Sequence, residues 1–427
     1  MQIGLCPNKR PYLRTLSLVP TRQKVGKGIV YRYNVLRNQQ EKGTQHMSNR
    51  ENMITLARQL AADFATRADE ADRIGKLPVE DINALKQSGY LGISVPAEFG
   101  GAGLSLHDCL AAHLELSQGS TSTAMVVGMQ MHVFGHQRET RSWREETYAQ
   151  FCREAAQGAI FNAIASEPAM GSPSRGGLPA STASRHPDGG WLVNGHKTWS
   201  TGGIHLTHML VRVAVEGEVG DVLVRQEMPG VRWEETWSDS LSLRASDSHD
   251  VFFENVHIPD EYLIGRGESK PAANVWFPLV MSTIYLGAAM AARHHVIRYA
   301  LERVPTALGK PIAMLPKIQR QIGEIDIALQ AARALLFEVA AEWTERDEDR
   351  PQMVARIAAA KTVVTETANK VTDQALQIAG GTSITKALPL ERFFRDVRAG
   401  AMQPPAGDTA LELVGRAAIA AVERRAA

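Results

Sequence analysis

Between about Ala159 and Pro259 the apolar residues lose helical spacing and fall into short β-prone runs; after Pro271 helical spacing returns. This double switch places a β layer between two helical regions and predicts a mixed α+β fold. Ahead of the switch, Ile54, Leu56, Leu60 and Phe64 share one helix face, and Ile82 and Leu85 start a second short helix. Further helices are expected at roughly 106–118, 121–135 and 143–156. In the middle, Trp191-Leu192-Val193, Met209 to Val213, Val222-Leu223-Val224 and Val251-Phe252-Phe253 are separated by turns such as Pro187-Asp188-Gly189-Gly190, the pattern of an antiparallel β domain. After it come four helical stretches, roughly 272–303, 315–346, 352–379 and 406–425, which predict an antiparallel bundle. The expected domains are residues 48–158, 159–262 and 263–427.

The chain has 427 residues, ample for an enzyme of several structural units. Its 47 basic and 46 acidic side chains give no electrostatic footprint for nucleic acid. A phosphate-rich ligand held by backbone amides and a few arginines remains compatible with that balance. Cys6, Cys109 and Cys152 are an odd, scattered set without CxxC spacing, which argues for a reducing compartment. No apolar run approaches the ~20 residues of a membrane span, so no membrane partner is expected. Residues 1–47 carry nine Lys or Arg against one acid, Glu41, and no sustained apolar period. They read as a disordered basic extension; read instead as an organelle-targeting peptide, they would move the expected location from cytoplasm to mitochondrial matrix. His294 and His295 are adjacent on a helix and no HExxH occurs, so no metal is expected.

Five separated motifs stand out along the chain. Gly89 to Gly103 closes with Pro96-Ala97-Glu98-Phe99-Gly100-Gly101-Ala102-Gly103, a compact glycine-rich wall. Ala165-Ser166-Glu167-Pro168-Ala169-Met170-Gly171-Ser172 is a turn bearing hydroxyls. Asn194-Gly195-His196-Lys197-Thr198-Trp199-Ser200-Thr201 reads as a turn leading into a strand that carries an indole. Leu243-Arg244-Ala245-Ser246-Asp247 runs on to Phe253-Glu254-Asn255-Val256-His257-Ile258-Pro259 and reads as closing strands, with Arg244 on a strand edge. Last, Gln377-Ile378-Ala379-Gly380-Gly381 ends a helix and exposes backbone N–H groups that suit phosphate, ahead of Pro389-Leu390-Glu391-Arg392-Phe393-Phe394-Arg395-Asp396.

In this order, over about residues 50–425, the motifs resemble those of the acyl-CoA dehydrogenase superfamily. The resemblance implies an N-terminal helical domain, a middle β domain and a C-terminal four-helix bundle, with FAD as cofactor. It implies that Ser166, Trp199, Ser200 and Thr201 meet the flavin ring, and that Ser172 and Arg244 lie toward the substrate. It further implies that Gln377, Gly380 and Gly381 bind the adenosine diphosphate half of a neighbouring subunit's FAD, so a homodimer or homotetramer is expected. Arg303 is a pyrophosphate contact by the same resemblance, although two extra residues separate it from Leu308-Gly309. The implied activity is oxidation of an acyl-CoA or related thioester at its α,β carbons, with electrons passed to an electron-transfer flavoprotein.

One departure bears on that activity. Members of the family remove the α-proton with a glutamate whose backbone N–H also holds the thioester oxygen; continuing without a gap from Arg395-Asp396-Val397-Arg398 places Pro404 there. Proline supplies neither carboxylate nor N–H. Some relatives carry the base on the first long C-terminal helix, but Pro271 to Ala300 contains no Asp or Glu. A branch of the superfamily needs no such base, because it takes reduced flavin from a separate reductase and activates oxygen. Many of its members read His-Asp-Pro where this chain reads Gln403-Pro404-Pro405. A flavin monooxygenase and a non-catalytic acyl-binding flavoprotein therefore stand as alternatives to the dehydrogenase, and the identity of the base is open, with Asp408 a candidate after a loop shift.

Overall fold

A computed structural model describes residues 49–170, 177–267, 274–345 and 350–426. The extension expected at 1–47 and the site residue Ser172 lie outside the described residues. Ser48 to Ala427 form one compact unit.

Helix α1 spans 49–65 and is followed by α2 (Ala68–Ile74), α3 (Val79–Ser88), α4 (Leu106–Ser117), α5 (Thr121–Thr140) and α6 (Glu145–Ala156). Ser105 and Ser120 cap α4 and α5, each hydroxyl accepting the backbone N–H three residues on at 3.2 Å. The glycine-rich segment between α3 and α4 forms two tight turns, and a Cβ on Gly101 would sit 2.2 Å from the Val95 carbonyl. It is the expected wall.

The β domain comprises β1 (Phe161–Ile164), β2 (Thr182–Arg185), β3 (Trp191–Ser200), β4 (His208–Val215), β5 (Glu218–Arg225), β6 (Val231–Glu234), β7 (His249–Ile258) and β8 (Leu263–Arg266). The sheet order is β6-β7-β3-β2-β4-β5-β8, with β1 also on β4. The expectation of an antiparallel domain needs correcting: β1 and β2 both run parallel to β4, while the other pairings are antiparallel. Asn194-Gly195 is not a turn either. It lies inside β3 as a bulge, where Asn194 donates to Asn255 Oδ1 at 3.1 Å and accepts the Asn255 N–H at 2.9 Å. The sheet continues to Arg266, four residues past the expected boundary.

The last layer contains α7 (Trp276–Glu302), α8 (Pro316–Glu345), α9 (Arg350–Ala379), the short α10 (Leu390–Asp396) and α11 (Gly407–Ala426). From Trp276 to Ala292 nearly every residue of α7 is apolar and buried, so it forms the axis on which α4, α5, α8 and α9 pack. Helix α10 joins the three layers. Arg395 forks onto Asp72 of α2 at 2.5 and 3.0 Å, Arg392 pairs with Asp69 at 2.9 Å, and Asp396 accepts the Leu243 N–H at 2.9 Å. Burial pushes the Asp396 carboxyl up to about 6, against the opposing charge of Arg392.

Candidate flavin and substrate site

The second and third motifs meet through a buried ion pair. Lys197, fully buried in β3, donates its ammonium to Glu167 Oε1 at 2.6 Å. The same carboxylate accepts the N–H groups of Ser181 (3.0 Å) and Ala180 (2.7 Å). Burial works against the Glu167 anion, but Lys197 and those amides outweigh it and hold the group down to about 2. Burial also lowers the Lys197 ammonium, and the carboxylate beside it opposes that shift. One residue away from each member of the pair, the Thr198 N–H donates to the Ser166 carbonyl at 3.0 Å. Ser166 is thereby fixed beside the end of β3.

That end is built to present a surface. Trp199 adopts φ 59, an unfavourable left-handed backbone for an aromatic residue, and its side chain stays 60% exposed. Behind it Ser200 is fully buried with its hydroxyl unpartnered, and the Thr201 hydroxyl meets Ser248 at 2.8 Å, which meets Ser246 at 2.7 Å. The Gly202 N–H donates to the Ser246 carbonyl at 2.9 Å, so the segment holding Arg244 adjoins Thr201. Arg244 itself is not on a strand edge, as the sequence suggested. It lies in a short helical turn between Leu243 (φ 55) and Asp247 (φ 46), with its guanidinium donating to the Ser240 carbonyl at 2.8 Å. An exposed indole, an orphaned buried hydroxyl and a fixed polar strand end fit the ring of a flavin.

The remaining candidates gather elsewhere. Gly380 (φ 61) and Gly381 follow α9 on the surface, and a Cβ at either would meet nothing within 4 Å. Gln377 is exposed and donates to Asp373 of its own helix at 2.7 Å. Tyr299 O–H meets Thr382 at 3.0 Å, which brings the last turn of α7, and the exposed Arg303 that caps it, to the same end of the bundle. No hydrogen bond or ion pair among the described residues joins this group to Trp199 or Thr201. Pro404 lies in the loop between α10 and α11, where Gln403 Nε2 approaches Met125 Sδ of α5 at 3.9 Å. Asp408 is exposed in the first turn of α11.

Family models for the N-terminal, middle and C-terminal domains of acyl-CoA dehydrogenase match residues 48–157, 162–256 and 279–403. The chain belongs to the acyl-CoA dehydrogenase family. A putative acyl-CoA dehydrogenase of Bacillus subtilis, YdbM, is 37% identical over 82% of the chain and 92% of its own length. The mitochondrial short-chain specific acyl-CoA dehydrogenase of Bos taurus is 28% identical over 80% of the chain and 84% of its own length. Among solved structures, FMN-bound TdsC of Paenibacillus sp. A11-2, a dibenzothiophene monooxygenase, is 26% identical with a TM-score of 0.77, covering 85% of this chain and 96% of its own. Family members thus share the architecture and differ in reaction.

Two residues of this site, Glu167 and Lys197, were given no role in the sequence. The second motif does hold an acid and the third a base, but nothing local to either segment says that the two meet.

Proposed function

We propose that this member of the family is a FAD-dependent oxidoreductase that oxidises an acyl thioester at its α,β carbons without the loop glutamate. The observation that carries this reading is the clamped end of β3, where the Glu167–Lys197 pair and the Ser166–Thr198 bond hold the exposed Trp199 next to the buried hydroxyls of Ser200 and Thr201. A bound flavin supplies the hydride acceptor. Trp199 covers a ring face and excludes water, while the hydroxyls of Ser166, Ser200 and Thr201 meet its polar edge. Arg244 lies toward the thioester, and the glycine end of α9 with Gln377 and Arg303 receives the diphosphate of a second subunit's FAD. The active unit is then a homodimer or homotetramer, and an electron-transfer flavoprotein takes the electrons.

Gly381 gives a clean test of the diphosphate site. Its added Cβ meets nothing and its φ is not left-handed, so Gly381→Glu disturbs the fold little while placing charge and bulk against a diphosphate. Purified Gly381→Glu should carry several-fold less FAD than the wild type at an unchanged thermal midpoint. Full FAD occupancy in the variant rejects the site.

A second reading rests on a specific observation: Pro404 offers no carboxylate, and α7 has no acidic residue before Glu302. These facts suit a monooxygenase that receives reduced flavin from a reductase and needs no α-proton base. Anaerobic mixing of the holoprotein with a panel of acyl-CoA esters decides between them. Bleaching of the flavin by a thioester supports the dehydrogenase. A flavin that no thioester reduces, together with oxygen consumption once a reductase supplies reduced flavin, supports the monooxygenase.

A further inference from the structure

Arg244 is held more firmly than a solvated arginine needs. Leu243 before it (φ 55) and Asp247 after it (φ 46) both take the left-handed backbone, which is unfavourable for a residue with a side chain and persists only where the surroundings over-determine it. Here they do. The Leu243 N–H donates to Asp396 Oδ1 at 2.9 Å, and the Leu243 carbonyl accepts the Trp237 indole N–H at 2.9 Å and the Ser246 N–H at 3.0 Å. Ser242 donates its hydroxyl to the Asp396 carbonyl at 2.7 Å, and Asp247 Oδ1 accepts the Leu77 N–H at 2.9 Å. From Ser242 to Ser248 every residue except Arg244 is buried, so the one side chain this clamp presents outward is the arginine. Its Nε is fixed on the Ser240 carbonyl at 2.8 Å, and among the described residues no carboxylate pairs with it. That leaves the two terminal nitrogens of a fixed fork for an oxygen of a ligand.

Asp396 is the member of the clamp that comes from the helical layer. It ends α10, and the turn Val397–Ala401 that follows runs into the Pro404 loop. Its carboxyl is buried near the charges of Arg392, Arg395 and Asp72, yet its hydrogen bond goes to a backbone amide rather than to either arginine. Those two are already engaged by Asp69 and Asp72.

We infer that Asp396, with Ser242, is a positioning residue for substrate binding: it sets the Leu243 turn so that the Arg244 fork meets the thioester in one orientation. This rests on the reading of Arg244 as facing the thioester. An amide at position 396 keeps an acceptor for the Leu243 N–H, whereas a methyl group does not.

The test is anaerobic calorimetry of butyryl-CoA on the holoenzyme, with flavin occupancy and thermal midpoint measured for each variant. Asp396→Ala should weaken binding about tenfold, and Asp396→Asn should stay within about twofold of the wild type. A double-mutant cycle decides whether the effect runs through Arg244. In an Arg244→Ala background Asp396→Ala should cause no further weakening. If Asp396→Ala does not fold, Ser242→Ala takes its place, with an expected loss of about threefold and the same dependence on Arg244. Equal losses with and without Arg244, or unchanged binding by Asp396→Ala at full flavin content, overturn the inference alone. Wild-type binding that Arg244→Ala leaves unchanged overturns the reading of Arg244, and binding of no ester overturns the thioester reading; either takes this inference with it.

Discussion

Lys197→Met should destabilise the protein by about 3–5 kcal/mol, because it removes one partner of a buried ion pair and leaves the Glu167 carboxylate without its counter-charge. Two backbone N–H groups would still reach Glu167, which keeps the loss from being larger. Flavin should be lost along with stability, since the pair ties Ser166 to the strand that presents Trp199. The double variant Glu167→Gln/Lys197→Met removes both charges and should recover much of the loss. Acid gives an independent check. The Glu167 carboxyl is held at about 2, below its ordinary 4.5, so its stabilising contribution is complete above about pH 4.5 and disappears as pH falls through 2. Denaturant midpoints of wild type and Glu167→Gln should therefore differ most above pH 4.5 and converge toward pH 2. Equal midpoints for wild type and Lys197→Met at pH 7 would show that the pair is not a clamp.

The parts legible in the sequence were those whose local pattern agrees with their tertiary setting. Helix α7 was readable because Trp276 to Ala292 is apolar on every face, and the cores of β3, β4, β5 and β7 because each holds a short run rich in Val, Leu and aromatic residues. The four-residue strands β1, β2, β6 and β8 were not, since a run that short has no period of its own and is fixed by pairing with a neighbour. Asn194-Gly195 misled for a related reason: the dipeptide favours left-handed turns, but here cross-strand bonds to Asn255 absorb it as a bulge. Arg244 was read as part of a strand because its neighbours continue into β7, whereas the Asp396 carboxylate, distant in sequence, captures the Leu243 N–H and bends the chain. Of the candidate site, the Ser166 and Trp199–Thr201 group could be gathered from motif order. The Glu167–Lys197 contact depends on packing between elements and has no local signature.

Pro404→Glu should raise the rate of acyl-CoA-dependent flavin reduction by about 10²–10⁴-fold, the range that a positioned acid–base group contributes. The substitution restores a carboxylate to the loop between α10 and α11 and returns a backbone N–H at the same residue, and an oxyanion donor adds about 10²–10³ where it is aligned. The surroundings favour acceptance of the new side chain, for Pro404 is only half-buried and its neighbour Gln403 anchors the loop on Met125. No acid of α7 before Glu302 competes for the role, and Asp408, four residues on, is exposed. The most direct measurement is the single-turnover rate of flavin reduction by butyryl-CoA without oxygen, in wild type and Pro404→Glu at equal flavin content. The account predicts slow reduction by the wild type and a gain of at least about a hundredfold in the variant. Rapid reduction by the wild type with no gain from Pro404→Glu would contradict it, and would place the base on another carboxylate such as Asp408.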